Sequence, residues 1–200
     1  MMKMLRAMRE PLKYVQGRDA LLQFHKEMEY MGKRWLFVCS NSGYKACHEK
    51  LEKSFGSSDD YRRYEIFGGI SSNGEIKKMM AIVEEDKIDT VVAVGGGSAV
   101  DTAKATAYYT GKHIVILPTV AATDAPCTGL SVIYNDDHSF DRYLFYPTNP
   151  DAVMVDTTII ANAPVKFLIA GMGDALATFV EARCARENPK VLPSHNITHS

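Results

Sequence analysis

The amino-acid sequence predicts an α/β fold, a parallel sheet with helices on both faces followed by the start of an all-helical unit, and three observations carry that prediction. Short apolar runs alternate with amphipathic helical stretches over most of the chain. One run, Thr90–Val94, passes through Gly95, Gly96 and Gly97 directly into a helix. Another, His113–Leu117, opens into a long loop of small and polar residues, 118–129. Alternating strands and helices of this kind build parallel sheets, whose ligands bind beyond the carboxyl ends of the strands.

In chain order, Trp35–Cys39 is an apolar strand, followed by a turn at Asn41-Ser42-Gly43 and a helix with Tyr44, Cys47, Leu51 and Phe55 along one face. Tyr64–Phe67 is a second strand. Ser72 and Glu75 then stand in capping-box spacing ahead of Ile76, Met79, Met80 and Val83. The glycine-loop strand and its helix form a third unit, and His113–Leu117 is the fourth strand. Leu130–Tyr134 and Phe140–Phe145 flank a polar turn and read as a hairpin added to the parallel core, with Ala152–Asp156 as one more strand. Helical patterning takes over at Asn162, with an interruption expected at Gly171-Met172-Gly173 before a second helix from Asp174 to about Arg186. The expected division is an α/β domain over 1–161, the first helices of a second domain over 162–187, and a divergent tail over 188–200.

The charges nearly cancel, 23 Lys and Arg against 24 Asp and Glu, for a net charge of −1. That balance argues against a nucleic-acid partner. No apolar run reaches membrane-spanning length, and Met1–Glu10 lacks the apolar core of a secretory signal, so a cytoplasmic protein with no membrane partner is expected. Cys39, Cys47, Cys127 and Cys184 are scattered without a Cys-x-x-Cys pair, which suits free thiols in a reducing compartment.

Glycines between a buried strand and a helix let a ligand approach the backbone closely, and the first turn of the helix presents N–H groups and a positive dipole end to an anion such as pyrophosphate. Ser98 and Asp101 have capping-box spacing, which predicts a helix opening at or near Ser98. The loop has neither the Gly-Lys-Ser/Thr ending of a Walker loop nor the third glycine of the common dinucleotide fingerprint, so a simple tight connection stays open. Asp101 and Lys104 are placed to reach a ribose or phosphate together, or else to form a local helix ion pair. In the 118–129 loop, Thr119, Thr123, Asp124 and Thr128 are candidate ligand contacts or a polar surface turn. Asp174 reads either as a favourable acid at a helix start or as one oxygen ligand to a metal. His195 and His199 have i, i+4 spacing, but Pro193 makes a preformed helical metal site there a poor reading.

The ordered motifs Gly95–Lys104, Pro118–Cys127, Leu130–Tyr134, Phe140–Tyr143 and Gly171–Ala177 together resemble the iron-containing, or group III, alcohol dehydrogenase family, on its glycerol-oxidising branch. The resemblance runs from about Lys13 to Arg186. It implies a Rossmann-like NAD-binding domain of the dehydroquinate synthase-like type, joined to an all-helical domain with a divalent metal, commonly zinc, between them. It implies oxidation of a small polyol, glycerol to dihydroxyacetone, by full-length homo-oligomers. By the same resemblance Gly96, Gly97, Ser98 and Asp101 would line the pyrophosphate, and Thr119, Thr128, Leu130 and Tyr134 would contact the rest of NAD. Asp124 would contact substrate and Asp174 would be the metal's carboxylate ligand. Ser40 stands where many relatives carry an aspartate for the adenosine ribose, which leaves the choice between NAD and NADP open, and Ala122 replaces a hydroxyl residue. The family's two histidine ligands would fall beyond the matching region, so the chain reads as a truncated member. A noncatalytic nucleotide-binding remnant and a dehydroquinate synthase-type lyase are the alternatives; the loop and hairpin motifs argue against the lyase.

Overall fold

The computed structural model describes residues 9–187. Six strands form one wholly parallel sheet: β1 (Lys13–Gly17), β2 (Arg34–Cys39), β3 (Tyr61–Ile66), β4 (Thr90–Gly95), β5 (His113–Pro118) and β8 (Ala152–Asp156). Their order across the sheet is β1-β8-β5-β4-β2-β3. A separate antiparallel hairpin, β6 (Leu130–Tyr134) and β7 (Phe140–Phe145), packs beside it. The helices are α1 (Phe24–Met28), α2 (Asn41–Phe55), α3 (Asn73–Glu85), α4 (Gly97–Thr110), α5 (Thr157–Asn162) and α6 (Val165–Glu187). No described helix is long and apolar enough to cross a membrane.

Strand alternation assigns the core residues to two faces. Trp35, Phe37 and Cys39 join Phe24, Leu51, Phe55, Val92 and Val94 on the face covered by α1 and α2. Leu36 and Val38 join Met79, Val83, Val91, Ala93, Val100 and Ala103 on the face covered by α3 and α4. Both faces are dry, which is why these strands are continuous apolar runs in the sequence. Helix α4 is buried nearly all round from Ala99 to Ala107. Its small side chains let the sheet close on one side, while Ala105 meets Ile76 of α3 and Ile133 of the hairpin on the other.

Several local expectations hold. The hairpin and the strands after residue 90 lie where the patterning put them, and Ser72 caps α3 by accepting from Glu75 N at 3.3 Å. Three differ. The third strand is Tyr61–Ile66 rather than Tyr64–Phe67, since Tyr61, Arg62 and Arg63 pair in register with β2 despite their polarity. Helix α4 opens at Gly97 with Gly96 as its N-cap and no capping side chain, so the Ser98–Asp101 box is not made. The helix after residue 164 runs unbroken through Gly171 and Gly173. Gly171 serves close packing instead: a Cβ there would stand 2.1 Å from the Ala121 carbonyl oxygen. α6 thus lies against the 118–129 loop, while Val165, Ile169, Met172, Leu176 and Phe179 stay exposed.

Candidate functional site

The strand order sets where a ligand belongs. From β2 the chain moves outward to β3, then crosses back to β4 and continues through β5 and β8 on the other side. The carboxyl ends of β2 and β4 therefore flank a topological switch point, where a crevice forms because the two connections leave in opposite directions. Gly95, Gly96 and Gly97 occupy that position at the end of β4. Ser40, just after β2, donates its N–H to Val94 O at 3.0 Å, and a Cβ on Gly95 would lie 2.9 Å from Ser40 Oγ. Crowding on this side explains glycine at 95. A Cβ on Gly97 would make only an ordinary 3.5 Å contact with Thr123.

α4 starts here with no capping side chain. Its first-turn N–H groups lack intrahelical acceptors and face the crevice end of the sheet, an arrangement that favours an anion. Ser98 is exposed on this turn, and Thr119 is buried at the end of β5, where its N–H bonds Gly95 O at 3.0 Å. A cavity of about 430 Å³ extends from Thr119 and Val120 past Ser42 and Lys50 to Phe167. A second, of about 420 Å³, lies on the other side of Val120 and is lined by Thr123, Asp124, Cys127 and Thr157.

Lys104 holds the loop between them. The residue is only 3 % exposed, and Nζ donates to Ala125 O at 3.0 Å, to Thr128 O at 3.3 Å and to Leu130 O. Asp101 Oδ1 lies 3.3 Å from the same nitrogen, and Asp101 Oδ2 accepts from Val132 N. The residues read in sequence as able to reach a ribose or phosphate together therefore form a buried ion pair that clamps the loop and β6 onto α4. Burial pushes the Asp101 carboxyl up and the Lys104 ammonium down, each opposed by the partner's charge. Thr128 and Leu130 belong to this clamped segment. Tyr134 lies farther along β6, where its N–H bonds Ser71 O at 2.9 Å.

The structure also brings Asp124 and Asp174 together. Asp124 N donates to Asp174 Oδ2 at 3.3 Å across fifty positions of sequence, through the close approach that Gly171 allows. Desolvation first, and the Asp174 charge second, push the Asp124 carboxyl above its ordinary value. Among the described residues no group of three His, Cys, Asp or Glu could hold a metal. The carboxylate pair offers hard oxygen donors but does not by itself make a metal centre, so no chemical step is assigned to a metal here. His195 and His199 lie outside the described residues.

The raised Asp124 value has a testable sign. An acid that binds its proton more tightly folded than unfolded makes the folded state less stable as pH rises through that range. Asp124→Asn, which keeps the backbone N–H bond to Asp174, should therefore raise the melting temperature at pH 7. Solvent screening of this half-exposed pair keeps the gain small. The gain should vanish below about pH 3.9, where the aspartate is protonated in both states. Thermal melts of both proteins across that range check this.

Sequence reasoning missed two features of the site. Lys104 as loop anchor was signalled by its setting, Thr102-Ala103-Lys104-Ala105-Thr106, in which only small residues flank the charge, as a helix buried all round requires. The contact between Asp124 and Asp174 had no local signal.

Known proteins resemble this chain over most of its length. Residues 11–157 match the family model described as iron-containing alcohol dehydrogenase. The chain is 48 % identical over 179 residues to a glycerol dehydrogenase of Thermotoga maritima, covering 88 % of this chain and 48 % of that protein. It is 40 % identical over 196 residues to a glycerol dehydrogenase of Escherichia coli O6:H1, covering 98 % of this chain and 53 % of that protein. The crystal structure of glycerol dehydrogenase from Schizosaccharomyces pombe superposes with a TM-score of 0.79 at 35 % identity, over 90 % of this chain and 46 % of that one. The chain spans about half the length of the curated relatives it matches.

Proposed function

Because this chain belongs to the iron-containing alcohol dehydrogenase family, we propose that it is the nucleotide-binding half of an NAD- and metal-dependent polyol dehydrogenase that oxidises glycerol to dihydroxyacetone. The observation that carries the reading is the uncapped α4 N-terminus behind three glycines at the switch point of the sheet. In this reading the backbone of Gly96 and Gly97 and the Ser98 turn receive the pyrophosphate. Thr119, Thr128, Leu130 and Tyr134 border the rest of the dinucleotide, and Asp101 contributes through Lys104 by holding that wall in place. NAD supplies the hydride acceptor when bound. Asp124 accepts a hydrogen bond from a substrate hydroxyl at the mouth of the second cavity, and Asp174 is the carboxylate offered to a divalent cation, zinc in this proposal. Exposed apolar residues on α6 support residues 162–187 as the opening of a helical domain. A cytoplasmic location and self-association belong to the same proposal.

The test is calorimetric titration of the purified chain with NADH, paired with an assay of NAD-dependent glycerol oxidation at saturating zinc. Binding is the expected result. Binding with turnover supports the full reading, binding without turnover restricts the chain to nucleotide recognition, and a folded chain that binds no nucleotide contradicts the proposal.

A further inference from the structure

The hairpin of β6 and β7 lies outside the six-stranded sheet, so its placement depends on what α3 and α4 hold rather than on the main ladder. Lys104 fixes its root through the Thr128 and Leu130 carbonyls. Ile133 packs against Ile76 and Ala105 along its length. Its turn is fixed by Asp136, whose Oδ1 accepts from Ser72 Oγ at 2.6 Å and from Gly74 N at 3.0 Å at the start of α3. A Cβ on Gly74 would stand 2.5 Å from that oxygen, so glycine leaves the seat open.

The ladder between the two strands is irregular at one place. Ile133 pairs with Arg142 and Tyr134 with Phe140, which leaves Asp141 as an extra residue opposite the step between them. Such a bulge bends its strand and re-aims the side chains beside it. Here the extra residue is itself held: Asn73 Nδ2 donates to Asp141 Oδ2 at 3.0 Å, and Asn73 Oδ1 accepts from Arg142 Nη1 at 3.2 Å. Tyr134 N donates to Ser71 O at 2.9 Å. Residues 71–74 thus hold the hairpin at Tyr134, at the bulge and at the turn.

With a pyrophosphate at the start of α4, the two halves of a dinucleotide extend to either side of it. One side is the cavity of about 430 Å³ between α2 and the end of β5, beside the end of β2 where adenosine binds in such sheets. The other is the α3 and α4 side, which the hairpin covers. A wall that meets a ligand is only as well aimed as the residues that support it. We propose that Asn73 and Asp136 are positioning residues, which set the hairpin, and Tyr134 with it, against the nicotinamide half of the dinucleotide without touching the ligand. The inference rests on the nucleotide-binding reading above and adds the residues that aim one wall of that site.

Calorimetric titration of the whole chain with NADH and with ADP, which carries adenosine and pyrophosphate but no nicotinamide, tests it. The parent chain should bind NADH more tightly than ADP. Asp136→Ala leaves Ser72 as the cap of α3 and should weaken NADH at least about fivefold while ADP stays within about twofold. Asn73→Ala frees the bulge, leaves Asp136 in place and should show the same split. Asp136→Asn keeps a side-chain oxygen for both bonds and should hold NADH affinity within about twofold of the parent. A purely structural role would weaken both ligands together. Equal losses for NADH and ADP, a folded alanine variant with unchanged NADH affinity, or an asparagine variant as weak as the alanine one overturns the inference. If one alanine variant fails to fold, the other decides; if both fail, the grip is structural and the inference falls. A parent that binds NADH no more tightly than ADP also overturns it, whereas a folded parent that binds neither ligand overturns the reading on which it rests.

Discussion

Replacing Lys104 with methionine is expected to destabilise the domain by about 3–5 kcal/mol, the cost of leaving one member of a buried ion pair uncompensated. The lysine is almost wholly buried, and its three bonds to Ala125, Thr128 and Leu130 carbonyls would be lost together with the Asp101 pairing. Asp101 would keep one bond, from Val132 N, and no countercharge. Urea denaturation followed by circular dichroism measures the effect as a fall in midpoint with little change in slope. The double variant Asp101→Leu, Lys104→Met should recover part of the loss, because an apolar pair carries no desolvation cost. A single variant as stable as the parent would show that the pair does not hold the loop.

Gly97→Asp is expected to separate ligand binding from stability. The position tolerates a Cβ at an ordinary 3.5 Å contact with Thr123, and an acid in the first turn suits the dipole of α4. The fold should therefore be kept or slightly stabilised. A carboxylate about 5 Å from a bound phosphate at an effective dielectric near 20 costs about 3 kcal/mol. Nucleotide affinity should accordingly fall by roughly a hundredfold. Thermal melts and NADH titration of the same sample check both halves of the prediction. Loss of affinity together with loss of fold would leave the glycine loop with a purely structural role.

The parallel sheet was legible in the sequence because both of its faces are dry, so strands such as Thr90–Gly95 and His113–Pro118 stand out as unbroken apolar runs between amphipathic helices. β3 was displaced in that reading because Tyr61–Ile66 is an edge strand of half-buried polar residues, paired on one side only. β1 went unread for the same reason, being the opposite edge, with Lys13, Val15 and Gly17 only partly covered. The glycine loop was legible as a strand-to-helix turn through its residues alone. The partners of that loop were not, because they depend on strand order. Ser40 reaches Gly95 only because β2 and β4 are neighbours, although β3 and α3 separate them in the chain. Asp124 reaches Asp174 only because Gly171 lets α6 lie on the loop. Glycine in a helix has two opposite readings, as a breaker or as a site of close packing, and only the tertiary contact of Gly171 decides between them.

Amide-resolved NMR of the isotopically labelled chain titrated with NADH tests most directly whether the nucleotide binds where β2, β4 and β5 end. Shifts concentrated at Ser40, Gly96, Gly97, Ser98 and Thr119 are the predicted result. Shifts concentrated at Tyr108, His113, Tyr146 and Thr148, around the cavity of about 280 Å³ at the opposite end of the strands, would contradict it.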